Sequence, residues 1–295
     1  MKIPSVNGKD SHSIRYFLYG RSCEEVLLCI GGPGPSLWAR FVEELKNRRY
    51  LMVADFLHPN FVSSKPKNPE YLQDVPTLAA HLEAACNNEK IYRVGVAAWS
   101  LGVKVAVELC KRLKNRITGS VLVCGTAGRL SELPASDSIR FPERFNFASP
   151  MPVAAEWFFQ HAELIRRLRS VTATLKSPAR IAKRFGLIDS LTDEAAFDAL
   201  VREFSSLDLN IYRQYAEASA KFDASEALFH LQSPHLAIAG EKDMLVPPRR
   251  MRAMAIKIPK CEYFEVKSGT HYLPVEYGEL LALKIDDFFD KVRQS

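Results

Sequence analysis

No C-x-x-C pair occurs among the six cysteines of this 295-residue chain, which are Cys23, Cys29, Cys86, Cys110, Cys124 and Cys261. The usual sequence forms of a structural zinc site and a dithiol redox centre are therefore missing. Cysteine and histidine do not cluster elsewhere along the sequence, so no metal site is expected; an organic cofactor is not expected either, because the side-chain chemistry developed below needs none. Several of the cysteines sit in apolar runs, which predicts buried free thiols of a cytoplasmic protein rather than a disulfide framework. No run of about 18 apolar residues appears, so no membrane span is expected. The segment Met1 to Gly8 has no apolar stretch after Lys2, which argues against a secretory signal. There is no nucleic-acid recognition motif, internal repeat or low-complexity linker, and nucleic acid is not an expected partner.

What is present is globular material, 47% hydrophobic and 25% charged. Such a chain suits one α/β domain with a large insertion, or two domains. The net charge of +6 is concentrated. Between Gln160 and Arg184 lie Arg166, Arg167, Arg169, Lys176, Arg180, Lys183 and Arg184, opposed only by Glu163. That stretch alone equals the excess of the whole chain. It reads either as a solvated helix face or as an attractive surface for an anionic substrate or partner.

Hydrophobic periodicity orders the rest. Strands are expected over Ser13–Tyr19, Glu25–Ile30, Tyr50–Asp55, Tyr92–Ala98 and Ile117–Cys124, with Asn7-Gly8 as a hairpin turn before the first. Helices are expected over Trp38–Lys46, Val75–Cys86 and Leu101–Leu113. The alternation predicts a mostly parallel sheet covered by helices on both faces. It breaks from about Arg129 to Asp223, where only helical patterns occur: Val153–Leu168, Asp193–Phe204 with Thr192 as N-cap, and Leu209–Phe222. It returns with strands at His235–Ala239 and Tyr263–Val266 and helices at Pro248–Ile258 and Val275–Val292. The expected organisation is an α/β core over 1–128 and 224–295, with a helical cap inserted at 129–223.

One strand runs directly into Trp99-Ser100-Leu101-Gly102 and a helix. A tight strand-to-helix turn pushes a serine side chain out of the sheet, and its strain calls for small residues two before and two after. Ala98 and Gly102 meet that need. A helix N-cap serine is the plain alternative. Two further residues lift the functional reading. Asp243 follows one predicted strand and His271 follows the next, at the sheet edge where ligands bind in open α/β folds. A serine hydroxyl needs a base to take its proton, and that base needs an acceptor to orient it. Glu241 is the rival acid, while His81 and His161 fall inside helical patterns.

Together these residues resemble the α/β-hydrolase superfamily over nearly the whole chain. Ala98-Trp99-Ser100-Leu101-Gly102 is similar to its nucleophile elbow, Gly240 to Pro247 to its acid loop, and Gly269-Thr270-His271 to its histidine loop. The resemblance implies a catalytic triad of Ser100, Asp243 and His271. Leu27 to Gly34 is similar to the oxyanion loop, which implies backbone donors at Gly32 and Leu101, since Pro33 has no N–H. The chain departs from the pattern at Ile30, where the family often has His, and at Ala98, where it often has Gly. Asp55-Phe56-Leu57-His58-Pro59-Asn60 stands where D-x-R-G-x-G is common. Gly31-Gly32-Pro33-Gly34 is similar to prolyl iminopeptidases, whose cap carboxylates hold a substrate amine, whereas this cap is basic. Trp99-Ser100-Leu101-Gly102 is similar to pimeloyl-carrier-protein methyl esterases. A thioesterase or acyltransferase of lipid or secondary metabolism shares the same machinery.

The expected activity is hydrolysis of a carboxylic ester or thioester through an acyl-enzyme. Trp99, Trp157, Arg166, Arg167 and Arg169 are candidate substrate contacts, and an acidic acyl-carrier protein or CoA is a candidate partner. The alternative from another class is a small-molecule receptor that keeps the triad without turnover.

Overall fold

The computed structural model describes residues 5–7, 13–55, 57, 74–129, 177–207 and 209–294. Strands β1 (Ser5–Asn7), β2 (Ser13–Tyr19), β3 (Glu25–Ile30), β4 (Leu51–Asp55), β5 (Arg93–Trp99), β6 (Ile117–Val123), β7 (His235–Gly240) and β8 (Cys261–Val266) form one sheet. Its eight strands run in the order β1-β2-β4-β3-β5-β6-β7-β8. β2 is antiparallel to both β1 and β4. All pairings from β4 through β8 are parallel. β5 is buried at every position except its first. Its side chains therefore face covered space on both sides, which is why it reads as a continuous apolar run rather than an alternation. β3 divides its residues between two cores: Val26, Leu28 and Ile30 enter one, Leu27 and Cys29 the other.

The crossover helices are α1 (Ala39–Leu45), α2 (Val75–Asn88) and α3 (Gly102–Leu113). α4 (Pro178–Arg184), α5 (Glu194–Ser206), α6 (Leu209–Lys221) and the short α7 (Ser225–Leu228) lie between β6 and β7. The chain closes with α8 (Pro248–Lys257), α9 (Leu273–Glu276) and α10 (Gly278–Gln294). No strand occurs among the described residues of the 129–223 segment.

Several local expectations need correction. Asn7 belongs to β1 and pairs with Ser13, so Asn7-Gly8 is not a two-residue turn. Thr192 does not cap α5. Asp193 does, its Oδ1 accepting the N–H groups of Ala195 (2.9 Å) and Ala196 (3.3 Å). The Thr192 hydroxyl is occupied by the Asp189 carbonyl at 2.7 Å. The last helix is interrupted at Tyr277, whose φ of −128° and ψ of 36° are not helical. All six cysteines are free, but only four are buried; Cys23 is exposed and Cys261 half-buried. The helix expected over Val153–Leu168, together with Trp157, Arg166, Arg167, Arg169 and Lys176, lies outside the described residues, as do Phe56 and His58 to Asn60. Of the remaining basic stretch, Arg180 pairs with Glu194 at 3.0 Å and Lys183 approaches it at 3.7 Å.

His235 on β7 is fully buried and shares a 2.7 Å hydrogen bond with the Ser120 hydroxyl on β6. Burial lowers its pKa from the ordinary 6.5 to about 4. The folded protein thus binds fewer protons than the unfolded chain between those values, so stability is lost as pH falls through them. The loss should reach about 3 kcal/mol between pH 7 and pH 4. Urea unfolding of wild type and His235→Asn across that range should show the wild type losing that much more. Parallel pH curves would mean His235 contributes no such linkage.

Candidate active site

The site is assembled at the carboxyl edge of the sheet. Ser100 follows β5 and adopts the left-handed region, with φ of 57°. This conformation is strained for a residue bearing a Cβ. The surroundings hold it there: the Ser100 N–H donates to the Val123 carbonyl at 3.0 Å. A Cβ at Gly102 would come within 2.7 Å of the Ile30 carbonyl oxygen. Only glycine lets α3 start this close to β3, as the small-residue requirement anticipates.

Asp243 and His271 leave the ends of β7 and β8. His271 Nε2 lies 2.9 Å from Ser100 Oγ, and its Nδ1 lies 2.9 Å from Asp243 Oδ2. The second oxygen, Asp243 Oδ1, accepts the N–H groups of Leu245 and Val246, each at 2.8 Å. That division fixes which face of the carboxylate meets the imidazole. The three residues are 8%, 3% and 3% exposed, so water competes little for their hydrogen bonds. Glu241 turns elsewhere. It accepts the Ser268 N–H at 2.9 Å and Lys267 Nζ at 3.0 Å. These bonds hold its carboxyl below the usual carboxylate range.

The glycine-rich loop 31–34 follows β3. Gly31 and Gly32 both have positive φ, and the Trp38 indole N–H donates to the Gly31 carbonyl at 3.2 Å. Gly32 and Leu101 flank Ser100 along a pocket of about 280 Å³, counting its open mouth. Leu57, Phe204, Tyr212 and Tyr215 form its apolar wall, and Phe204 meets Tyr212 edge-on at 5.9 Å. Trp99 also borders the pocket. Its indole N–H donates to the His271 carbonyl at 2.7 Å, and its ring centre lies 4.9 Å from the imidazole. It thereby props the histidine loop as well as lining the wall.

Cys124, Asp243 and His271 place their ligand-type atoms within 4.8 Å of one another, a grouping among the described residues that sequence spacing does not reveal. A metal would take the thiolate. Burial, and then the neighbouring Asp243 carboxylate, push the Cys124 thiol well above its ordinary value.

Three buried or half-buried charged groups that the sequence reading passes over tie the insertion helices to this site. Lys104 on α3 is 1% exposed and donates to the carbonyls of Ser219 and Phe222 at the end of α6. Burial lowers its pKa to about 8. Glu276 accepts the Thr270 N–H (2.8 Å), the Thr270 hydroxyl (2.6 Å) and the Asp189 N–H (2.9 Å), joining the histidine loop to the insertion. Glu203 on α5 accepts the Ser36 N–H at 3.0 Å, just after the glycine-rich loop 31–34. A lysine within the Val-rich segment Gly102 to Leu109 is a legible trace of the first. The carboxylates leave none.

A mostly parallel sheet with helices on both faces, a strained serine turn and a histidine–aspartate pair on its carboxyl edge define a hydrolase architecture. A family model described as "Alpha/beta hydrolase family" matches residues 26–282, and the chain belongs to that family of hydrolytic enzymes. It is 23% identical over 287 residues to a pyrrolizixenacetamide deacetylase of Xenorhabdus hominickii, covering 90% of this chain and 94% of that protein. It is 29% identical over 102 residues to the proline iminopeptidase PfmaB of Pestalotiopsis fici, covering 32% of this chain and only 36% of that protein's length. Among solved structures, a thermophilic esterase from Thermogutta terrifontis superposes with a TM-score of 0.71 at 21% identity, covering 99% of both chains. No helix among the described residues is long and apolar enough to cross a membrane.

Proposed function

We propose that the protein is a serine hydrolase that cleaves a carboxylic ester or thioester through an acyl-enzyme on Ser100. The supporting observation is the unbroken relay from Asp243 Oδ2 through the His271 ring to Ser100 Oγ, with both links at 2.9 Å. Ser100 Oγ attacks the carbonyl carbon while His271 Nε2 accepts its proton. Asp243 keeps the Nδ1 proton in place and stabilises the imidazolium. The oxyanion is met by the N–H groups of Gly32 and Leu101, each worth about 3 kcal/mol in comparable enzymes. His271 then protonates the leaving alcohol or thiol. Water enters, gives its proton to His271 and attacks the acyl carbon, releasing the acid and restoring Ser100.

The insertion at 129–223 acts in this reading as a cap over the pocket. The described pocket lining carries no charged side chain, which suits a neutral acyl group. An anionic feature of the substrate, such as CoA or an acidic carrier protein, belongs on the leaving-group side, with Arg166, Arg167 and Arg169 as its candidate contacts. The free cysteines fit a cytoplasmic setting. A second reading, cleavage of an amide, is favoured by the names of the two relatives, a deacetylase and an iminopeptidase. It uses the same residues, with His271 protonating a leaving amine.

A fluorophosphonate probe should label the wild type and spare Ser100→Ala. Absence of labelling in the wild type would favour a receptor with an idle triad. In a p-nitrophenyl ester panel, the butyrate should exceed the hemisuccinate in kcat/KM by about tenfold or more, because a carboxylate cannot enter an apolar wall without losing hydration. Matching anilides in the same panel separate the ester reading from the amide one.

A further inference from the structure

We propose that Glu203 is a positioning residue for the oxyanion loop, reaching across from the insertion to hold residues 34–36 against the core. This rests on the serine-hydrolase reading above. Glu203 precedes Phe204 of the pocket wall, and its Oε2 accepts the Ser36 N–H at 3.0 Å. Ser36 belongs to the 3₁₀ turn Pro35–Trp38, which begins directly after the loop carrying Gly32. That turn has no side-chain cap from its own N-cap residue, Gly34. The half-buried Ser36 donor finds an acceptor 167 residues away in sequence, as the first N–H groups of a helical turn require.

The contact is close as well as polar. A Cβ at Gly34 would lie 2.7 Å from the Glu203 carboxyl carbon and 2.8 Å from its Oε1. The loop backbone thus rests on the carboxylate itself. On its other side the loop is tied by Trp38, whose indole N–H donates to the Gly31 carbonyl. Gly32 sits between the two ties, with φ of 85°. Its N–H acts on a developing oxyanion only if it points correctly, and small displacements of such a donor are expensive. Packing alone would not select an acid here. Burial opposes the charge and raises the Glu203 pKa, while the hydrogen bonds to Ser36 pull it back down. What the carboxylate contributes is an acceptor at Ser36.

The test is a double-mutant cycle on Glu203 and Gly34 using a neutral p-nitrophenyl ester. Glu203→Ala should lower kcat by about tenfold, less than the 10²–10³ for deleting an oxyanion donor outright, with KM within about twofold. Affinity for a boronic acid, whose tetrahedral adduct places an oxygen in the same site, should fall by a similar factor. Glu203→Gln should recover kcat to within about threefold, because the amide oxygen can still accept the Ser36 N–H. Gly34→Ala should lower kcat by displacing the carboxylate, yet add almost nothing to Glu203→Ala, since the clash is then gone. Unchanged kcat in Glu203→Ala would overturn the proposal, as would an effect confined to KM, which would mean that Glu203 touches substrate. If Glu203→Ala fails to fold, Gly34→Ala and Glu203→Gln still decide: wild-type kcat in the first or loss in the second overturns it. Failure of the wild type to hydrolyse any ester and to label with fluorophosphonate would instead remove the underlying reading.

Discussion

Ser100→Ala should lower kcat for a p-nitrophenyl ester by about five to six orders of magnitude while the protein stays folded. In a serine relay the nucleophile and base act as one unit, so removing either costs nearly as much as removing both. What survives is the rate supplied by substrate binding and the oxyanion donors. The fold should tolerate the change for a local reason. The strained backbone at position 100, with φ of 57°, is held by the Val123 carbonyl and by the close approach of Gly102 to Ile30. Neither contact uses the serine hydroxyl, and alanine pays the same steric penalty as serine in that region. Thermal unfolding within a few degrees of wild type, together with the lost turnover, is the expected pair of measurements. A variant that retains wild-type kcat would move the nucleophile elsewhere.

Asp243→Asn should lower kcat by about four orders of magnitude, the size of the effect in the serine protease case. The structure supplies a reason specific to this site. One carboxylate oxygen accepts two backbone N–H groups, from Leu245 and Val246. An asparagine must turn its carbonyl toward those donors, because its NH₂ would confront them. The NH₂ then faces His271 Nδ1, which becomes an acceptor, so the imidazole proton moves to Nε2. That nitrogen can no longer take the proton of Ser100. Glu241→Gln is the companion variant. Glu241 is engaged with Ser268 and Lys267, so kcat should stay within about threefold. Steady-state kinetics on both variants would assign the acid, and a reversed order would give the role to Glu241.

Ser100, Asp243 and His271 were legible because each sits at a junction whose signal is local. A strand ends, a turn residue follows and a helix or loop begins, all within about six neighbouring residues. Asp193 shows the limit of such reading. Thr192 and Asp193 are both good caps, and the choice between them depends on whether the Thr192 hydroxyl is already occupied, here by the Asp189 carbonyl. Glu203 shows a sharper limit. It lies in a helical pattern where an acid ordinarily faces water, and nothing nearby in sequence marks it as half-buried. The basic character of the insertion even argues against a functional carboxylate there.

The sequence by itself determined the alternation of strands and helices, the position of the serine turn, and the order serine, aspartate, histidine. These follow from hydrophobic period and from steric demands between near neighbours. The tertiary structure decided which carboxylate faces His271, since Asp243 and Glu241 differ by two positions but point to different donors. It also decided which side chains join residues 177–223 to the rest of the fold: Lys104 with the end of α6, Glu276 with Asp189, and Glu203 with Ser36. The physical reason is that a buried polar group is stable only where a partner of matching geometry exists. For these groups the partner lies far along the chain, so only folding brings it within reach.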